Sequence, residues 1–240
     1  MKLTFLGTRG EIKLKTGEHK RHTSLLVSYK NKNVIIDRGT DWLHEKYDKK
    51  PDAILVTHSH DDHAGGLQNG APCKVYAAKD CIKKLKNFRD LELIEIEEEK
   101  KYIINEISFT AYPVEHSVIA PAVGYKITAG KVSVFYCPDL IYIYNRKEAL
   151  KNVKLYVGDG AAISKSFIRK RGDKLIGHAK VQQQISWCEK EKIPEAVITH
   201  CGSEIVTSGD EKINKLFEDY KNKYGVNIRL AYDRMEVLLR

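Results

Sequence analysis

The sequence predicts an α/β fold in which helices cover mixed β-sheets within a single domain spanning residues 1–240. The first observation is the order of elements: short apolar runs joined by hairpins fill the first half, and strand–helix units fill the second. The second is composition, because 42% of the 240 residues are hydrophobic, which is enough for a large core and argues against disorder.

In the first half, β-branched and apolar runs bounded by Gly, Asn or charged residues predict nine strands. They cover residues 2–6, 25–28, 34–36, 53–56, 74–77, 93–96, 107–114, 123–127 and 132–136. Polar turns at 29–33 and 129–130 predict hairpins, and helices are expected at 42–47 and 79–88. The basic segment 11–21 predicts a surface loop, and we expect His22 at the surface as well.

The second half alternates strands with amphipathic helices. Strands are predicted at 155–157, 196–199, 227–231 and 236–239, and helices at 181–190 and 212–220. No Pro-rich or Gly-rich linker separates the two halves, so one domain is the most economical interpretation.

The segment 57–63 follows the apolar run 53–56 and carries three imidazoles and two carboxylates between His58 and His63. Residues two apart in an extended segment point the same way, so His58 and His60 can hold one metal ion. Asp62 and His63 follow where the chain turns towards a helix, so they can face a second ion. His and Asp both suit Zn²⁺ or Mn²⁺, which favours a metal site over a merely His-rich polar loop.

Further polar side chains stand at or just past the predicted strand ends. They are Asp37, His58, His60, His116, Asp139, Asp159 and His200. Open sheets place ligands in the crevice outside the carboxyl ends of their strands, so we expect these residues to converge. Their chemistry suits two metal ions that share a bridging carboxylate.

These residues resemble the motifs of the metallo-β-lactamase superfamily. The superfamily motif His-x-His-x-Asp-His corresponds to His58, His60, Asp62 and His63. An Asp after an early strand, a lone His, a bridging Asp and a late His correspond to Asp37, His116, Asp139 and His200. The resemblance covers nearly the whole chain and implies a four-layer αββα sandwich with a dimetal site at one edge.

The resemblance also implies a role for each residue, with two divalent metal ions, Zn or Mn, as cofactors. The first ion is bound by His58, His60 and His116, the second by Asp62, His63 and His200, and Asp139 bridges them. Asp62 is thus both a ligand and a catalytic residue, and Asp37 orients a ligand imidazole by hydrogen bonding. Two such cations about 3.5–4 Å apart lower the pKa of a shared water towards ~7, which supplies a bridging hydroxide as nucleophile.

Within the superfamily, the sequence is most similar to the branch of ribonuclease Z and the cyclic-phosphate phosphodiesterase of phosphonate breakdown. The shared features are Phe-Leu-Gly-Thr at 5–8 and Gly177-His178 before a helix, which makes His178 a proton donor or a phosphate contact. Ala179 and Lys180 depart from the Ser/Thr that follow in those relatives. The long arm by which ribonuclease Z grips tRNA has no counterpart in the sequence, which argues against tRNA processing.

Two acidic residues keep alternative interpretations. Asp61 could supply the proton to the leaving oxygen, but an outward-facing, solvated side chain is the favoured interpretation. Asp159, in Gly158-Asp159-Gly160, either bonds to a ligand imidazole or closes an Asx turn.

A cluster of cations lies between Asp159 and His178. These cations are Lys165, Arg169, Lys170, Arg171 and Lys174, and we expect them to bind substrate phosphates rather than form only a solvated surface. The formal net charge of +9 also favours an anionic partner, with nucleic acid as the leading candidate.

Together these features predict a dinuclear metal-dependent phosphodiesterase that acts as a nuclease on RNA or single-stranded DNA. The alternatives are a phosphodiesterase for a small cyclic or nucleotide phosphate, and a thioester or lactone hydrolase. Five Cys, an odd number without a Cys-x-x-Cys pair, predict a cytoplasmic protein, and the sequence predicts no membrane partner. A homodimer is left open, because dimers are common among the relatives.

Overall fold

Two large β-sheets dominate the computed structural model, which describes residues 1–48 and 50–240 and, at Asp210, the backbone alone. The first sheet contains β1 (Lys2–Gly7), β2 (Ser24–Tyr29), β3 (Lys32–Ile36), β4 (Ala53–Val56), β5 (Val75–Ala78), β6 (Leu93–Ile96) and β17 (Glu236–Leu238). Its strand order is β17-β1-β2-β3-β4-β5-β6. The strands from β3 to β6 run parallel, and β17, β1 and β2 add antiparallel neighbours at the other side.

The second sheet is built from the middle and end of the chain. It contains β7 (Lys101–Ile104), β8 (Ile107–Glu115), β9 (Ala122–Ala129), β10 (Val132–Tyr136), β11 (Tyr142–Ile143), β12 (Leu155–Asp159), β15 (Glu195–Thr199) and β16 (Asn227–Leu230). The order is β11-β8-β9-β10-β12-β15-β16, with β7 also paired to β8. A separate two-stranded hairpin is formed by β13 (Arg169–Arg171) and β14 (Lys174–Ile176).

Helices cover the outer face of each sheet. They are α1 (Asp61–Ala64), α2 (Lys79–Leu85), α3 (Arg146–Leu150), α4 (Val181–Lys190), α5 (Ser203–Ser208) and α6 (Asp210–Tyr224), with 3₁₀ turns at Thr40–Trp42 and Gly65–Leu67. The α4 stripe of Val181, Gln184, Ile185 and Cys188 is buried at the spacing that an amphipathic helix requires. Within the described residues, no helix is long and apolar enough to span a bilayer.

Three apolar clusters separate four layers. One lies between the sheets and includes Phe5, Leu55 and Tyr125. A second fills the space between the second sheet and its helices around Trp187, and a third packs α2 on the first sheet around Leu67. Helix, sheet, sheet and helix therefore stack as the αββα sandwich that the resemblance implies, and the expected fold class is confirmed.

Most predicted elements are present, but several short ones differ. The prediction of a helix at 42–47 is wrong, because the chain forms only the short 3₁₀ turn Thr40–Trp42 there. The guanidinium of Arg38 packs on the rings of Trp42 and Tyr47 in this region. The sequence analysis also missed β7, β11, the β13–β14 hairpin, α3 and α5. These elements are two to six residues long and largely exposed or set by tertiary pairing, so their periodicity carries little signal.

The two sheets are joined by a hydrogen bond within the core. The fully buried Tyr125 on β9 donates its hydroxyl to the carbonyl of Val56 at 2.8 Å, at the end of the strand that leads into His58. Because a buried carbonyl that loses its donor keeps its desolvation cost, this bond helps to fix the end of β4.

We expect Tyr125→Phe to lower the free energy of unfolding by about 1–2 kcal/mol, because it leaves the Val56 carbonyl buried without that donor. Urea denaturation of the metal-loaded protein measures the change. Tyr232→Phe, at a side chain that is half exposed, is the control and should stay within about 0.5 kcal/mol of wild type. Equal stability of wild type and Tyr125→Phe would contradict this role of the bond.

Candidate metal centre

The ends of six strands meet at one edge of the sandwich. Asp37 follows β3, His58 follows β4, His116 follows β8, Asp139 follows β10, Asp159 ends β12 and His200 follows β15. The parallel pairings of β3 with β4, and of β12 with both β10 and β15, bring these carboxyl ends together. The structure thus assembles the predicted constellation, because neighbouring parallel strands end at the same edge.

The first donor cluster consists of His58, His60, His116 and Asp139, whose donor atoms all lie within 4.8 Å of one another. His58 Nε2 lies 2.9 Å from His60 Nδ1 and 3.3 Å from Asp139 Oδ2, and His116 Nε2 lies 3.4 Å from His60 Nδ1. Tetrahedral Zn²⁺ with bonds of about 2.0–2.1 Å sets its ligand atoms roughly 3.3 Å apart. These separations fit one such cation.

The second donor cluster consists of Asp62, His63, Asp139 and His200. The short helix α1 begins directly after His60 and buries the side chains of Asp62 and His63. His63 Nε2 lies 2.8 Å from Asp139 Oδ2 and 3.3 Å from Asp62 Oδ2, and His200 Nε2 lies 3.2 Å from Asp62 Oδ2. Asp139 therefore belongs to both clusters.

Three buried polar atoms of these clusters have no hydrogen-bond partner among the described residues. They are His63 Nε2, Asp139 Oδ1 and His200 Nδ1. Burying polar groups in this way costs free energy unless something else satisfies them. Nitrogen and carboxylate donors at these spacings are the ligands that Zn²⁺ and Mn²⁺ accept, so the residues present fit bound divalent cations.

The protonation states of the two clusters differ. Burial lowers the pKa of His58, His60 and His116, that of His60 to about 4, so these imidazoles are neutral and ready to bind metal. Burial has the same effect on His63 and His200, but carboxylates outweigh it. Asp62 raises the pKa of His63 well above its usual value, and Asp139 raises that of His200 to about 9.

Asp37 lies behind the second cluster and fixes the orientation of His63. Its fully buried carboxylate accepts the Nδ1–H of His63 at 2.9 Å and the backbone N–H of Thr57 at 2.8 Å, together with the Thr57 hydroxyl. This leaves His63 Nε2 directed at the donor cluster, as an orienting residue requires. Asp37 takes φ of +63°, a strained conformation for a residue with a side chain.

The imidazole of His178 lies next to the carboxylate of Asp139 and is held by a hydrogen bond to Asp159. Asp159 Oδ2 accepts the Nδ1–H of His178 at 2.8 Å, while its Oδ1 accepts the backbone N–H of Ala161 at 2.8 Å. Asp159 thus closes the Asx turn, but the imidazole that it bonds belongs to His178, which is outside both ligand sets; Nδ1 of the expected ligand His200 lies 3.5 Å from Asp159 Oδ1. The buried Gln184 accepts the Asp159 N–H at 2.9 Å and donates to its carbonyl at 2.8 Å.

Gly177 explains the Gly-His sequence before α4. It has φ of +120°, and a Cβ there would lie 1.9 Å from the carbonyl oxygen of Phe167. Its carbonyl accepts the Nδ1–H of His116 at 3.0 Å, so one glycine positions both His116 and the neighbouring His178.

A cavity of about 800 Å³ opens over both clusters. Its lining includes Gly10, Glu11, Ile12, His22, Thr40 and Asp61 from the first part of the chain, and Phe167, Arg169, Ile176, Gly177 and His178 from the segment around the β13–β14 hairpin. Among the five predicted substrate-binding cations, Arg169 lines the cavity. Lys165, Lys170, Arg171 and Lys174 are exposed on the β13–β14 hairpin or just before it.

The Asp61 carboxylate is 65% exposed and lies 3.4 Å from Lys84 Nζ, as a solvated residue would.

Three residues that line or support the cavity were missed by the sequence analysis, namely Glu11, His22 and Gln184. His22 was expected at the surface, but its side chain is only 8% exposed, and it lines the cavity beside Glu11. Gln184 appeared only as a position in an amphipathic helix. No local pattern marks these three residues, because each acts through partners distant in sequence.

Comparison with known proteins identifies related sequences and folds. A sequence model described as the beta-lactamase superfamily domain matches residues 32–201. Ribonuclease Z of Methanopyrus kandleri is 29% identical over 147 residues, which cover 54% of this chain and 51% of that protein. The matched region thus spans about half the length of that curated relative.

Solved structures share the whole fold at low identity. YhfI from Bacillus subtilis, a metallo-beta-lactamase fold protein, aligns with a TM-score of 0.76 at 16% identity and 98% coverage of both chains. A diphosphatase from the PhnP family gives 0.72 at 20% identity, covering 100% of this chain and 98% of that one. The short form of human tRNase Z gives 0.68 at 15% identity, covering 100% of both.

We expect Asp37→Asn to weaken metal binding by about 10–100-fold, because His63 loses the carboxylate that orients its ring. Chelator competition with Zn²⁺ measures the affinity. Asp52→Asn is the matched control, since Asp52 also accepts a backbone N–H, from Asn33, but lies at the opposite end of β4. Unchanged affinity in Asp37→Asn would contradict the orienting role.

We expect metal binding at pH 7 to release at least about two protons per chain, because His63 and His200 are protonated in the metal-free protein and must lose those protons to act as ligands, and ionisation of a metal-bound water adds to this release. Calorimetric titration with Zn²⁺ in buffers of different ionisation enthalpy counts the protons. The sign follows from the raised pKa values: affinity rises as pH increases from 6.5 towards 9. Binding without proton release would contradict these protonation states.

Proposed function

The chain belongs to the metallo-β-lactamase superfamily and is a metal-dependent hydrolase, and on this premise we propose that it cleaves phosphodiesters by using two divalent cations, Zn or Mn. The observation that carries the proposal is the position of Asp139. Its Oδ2 lies 3.3 Å from His58 Nε2 in one cluster and 2.8 Å from His63 Nε2 in the other. A carboxylate shared in this way suits a pair of cations close together.

His58, His60 and His116 would hold one cation, Asp62, His63 and His200 the other, and Asp139 both. When bound, the two cations lower the pKa of water to supply a nucleophile at neutral pH and offset the charge of the phosphate. The protein holds these donors rigidly, because Asp37 and the Gly177 carbonyl fix the rings of His63 and His116 from behind.

His178 is the residue we propose as the proton donor to the leaving oxygen. Burial disfavours its charged form, but the Asp159 carboxylate outweighs this effect and raises the pKa of His178 to about 11. The ring therefore carries a proton at neutral pH. Because Nδ1 is bonded to Asp159, the proton on Nε2 is the one that can be transferred within the cavity.

The class of substrate is supported by charge and by relatives. Arg169 lines the cavity, and the exposed Lys170, Arg171 and Lys174 lie on the same β13–β14 hairpin. These cations can bind successive phosphates of a nucleic acid. Ribonuclease Z and tRNase Z are similar by sequence and fold. We therefore propose nuclease activity on a single-stranded nucleic acid in the cytoplasm.

A phosphodiesterase for a small cyclic or nucleotide phosphate is the second candidate. A cavity of about 800 Å³ can enclose such a molecule without help from the outer cations. The fold likeness to a diphosphatase of the PhnP family also favours this alternative.

We expect the Zn²⁺- or Mn²⁺-loaded protein to hydrolyse both bis(p-nitrophenyl) phosphate and a single-stranded oligonucleotide, and His60→Ala to lose at least ~100-fold of both activities. The physical reason is that the variant removes a donor from the first cluster. Steady-state turnover measures both activities, and the metal content of each protein is determined in parallel.

The outcomes separate the candidates. Oligonucleotide cleavage that falls steeply with salt supports the nuclease. Cleavage of the small ester alone supports the small-phosphate enzyme. Wild-type protein that holds two metal ions and cleaves neither ester would overturn the phosphodiesterase proposal.

A further inference from the structure

Two neighbouring residues of the cavity lining, His22 and Glu11, place a hydrogen-bond donor beside an acceptor. His22 Nε2 and Glu11 Oε2 lie 3.5 Å apart, and both residues line the cavity over the metal clusters. Neither residue belongs to the donor clusters, and the same cavity is lined by Phe167 and Arg169.

His22 is held in one orientation and one tautomer by its neighbours. Its Nδ1 accepts the backbone N–H of Asp41 at 3.2 Å, and its own backbone N–H donates to Asp41 Oδ2 at 3.0 Å. The indole of Trp42 donates to its carbonyl at 3.0 Å. Since Nδ1 accepts a hydrogen bond, the proton of the neutral ring sits on Nε2, on the side of Glu11.

The carboxylate of Asp41 is itself fixed. It is bound by the buried guanidinium of Arg9 and, at 2.6 Å, by the ammonium group of Lys15. The imidazole of His22 is therefore built into the cavity lining before any ligand arrives, as a specific recognition site requires.

The chemistry of Glu11 and His22 indicates which substrate group they can bind. A phosphate oxygen can accept from His22 but is repelled by Glu11 and by the neighbouring Asp61 and Asp62. A hydroxyl can accept from Nε2–H and donate to Glu11 at the same time. Arg169 and Phe167, which also line the cavity, suit the anionic and aromatic parts of a nucleotide.

Resting on the proposed phosphodiesterase activity, we infer that Glu11 and His22 bind a ribose 2′-hydroxyl next to the scissile phosphate, so that the protein selects ribonucleotide over deoxyribonucleotide substrates. Ribose hydroxyls are commonly recognised by carboxylates in this way, and the 2′-hydroxyl is the group that distinguishes RNA from DNA. A site that bonds a substrate hydroxyl discriminates strongly against the analogue that lacks it.

The test compares two oligonucleotides of the same A/C sequence, one ribo and one deoxy, with bis(p-nitrophenyl) phosphate as a substrate without hydroxyls. Wild type should show a kcat/KM for the ribo substrate at least about tenfold above that for the deoxy substrate. In Glu11→Ala this ratio should fall towards one. His22→Asn keeps an acceptor for the Asp41 N–H, removes the Nε2–H, and should reduce the ratio as well.

Glu97→Ala is the matched control, because its side chain is 73% exposed, close to the 72% of Glu11, and it lies outside the cavity lining. It should keep the wild-type ratio. Equal turnover of both oligonucleotides by wild type, or an unchanged ratio in Glu11→Ala, would overturn this inference while cleavage of the small ester left the phosphodiesterase proposal standing. Loss of all wild-type turnover would overturn both.

Discussion

The buried carboxylate of Asp139 is the constraint on which the rest of the site depends. Its side chain is 3% exposed and lies within 3.3 Å of imidazole nitrogens from His58, His63, His178 and His200. A buried charge of this kind is tolerated only when several opposite charges or ligands surround it. Burial by itself would raise the pKa of Asp139, but its imidazole neighbours, His200 foremost, hold that pKa well below the usual range.

The sandwich architecture supplies those neighbours. Asp139 follows a strand of the second sheet, whereas the residues at 57–63 follow a strand of the first, and the Tyr125–Val56 hydrogen bond joins the two sheets at this level. The donors therefore lie at or shortly after strand ends, or at the start of the short helix α1 that follows β4. The left-handed conformations of Asp37 (φ +63°) and His200 (φ +52°) are strained, and the surrounding hydrogen bonds and packing maintain them.

The cavity above the donors is lined by two segments of different chemistry. The N-terminal segment contributes a carboxylate and an imidazole, those of Glu11 and His22, while the segment around the β13–β14 hairpin contributes Phe167 and Arg169. Gly10 allows the N-terminal segment to approach His200 closely, because a Cβ at this position would lie 3.0 Å from the His200 ring. Charged side chains of both signs in the cavity lining can orient a bound substrate, in addition to the shape of the cavity.

The sequence by itself determined the elements whose signal is local. The run 53–56 and the helix Val181–Lys190 coincide with the structure at both ends, because a short continuous apolar run marks a fully buried strand and helical apolar periodicity marks one buried face. The His-x-His-x-Asp-His spacing likewise indicated two groups of donors, since an extended segment followed by a helix start directs alternate residues to different places.

Only the tertiary structure decided how distant residues are used. His22 is a buried residue of the cavity lining because hydrogen bonds to Asp41 and Trp42, about twenty residues away in the chain, hold it there. Asp159 could serve His178 and its Asx turn together because Gln184 fixes its backbone from α4. Hydrogen bonds between residues far apart in the chain leave no periodicity in the sequence, so their partners become visible only when the strands have brought them together.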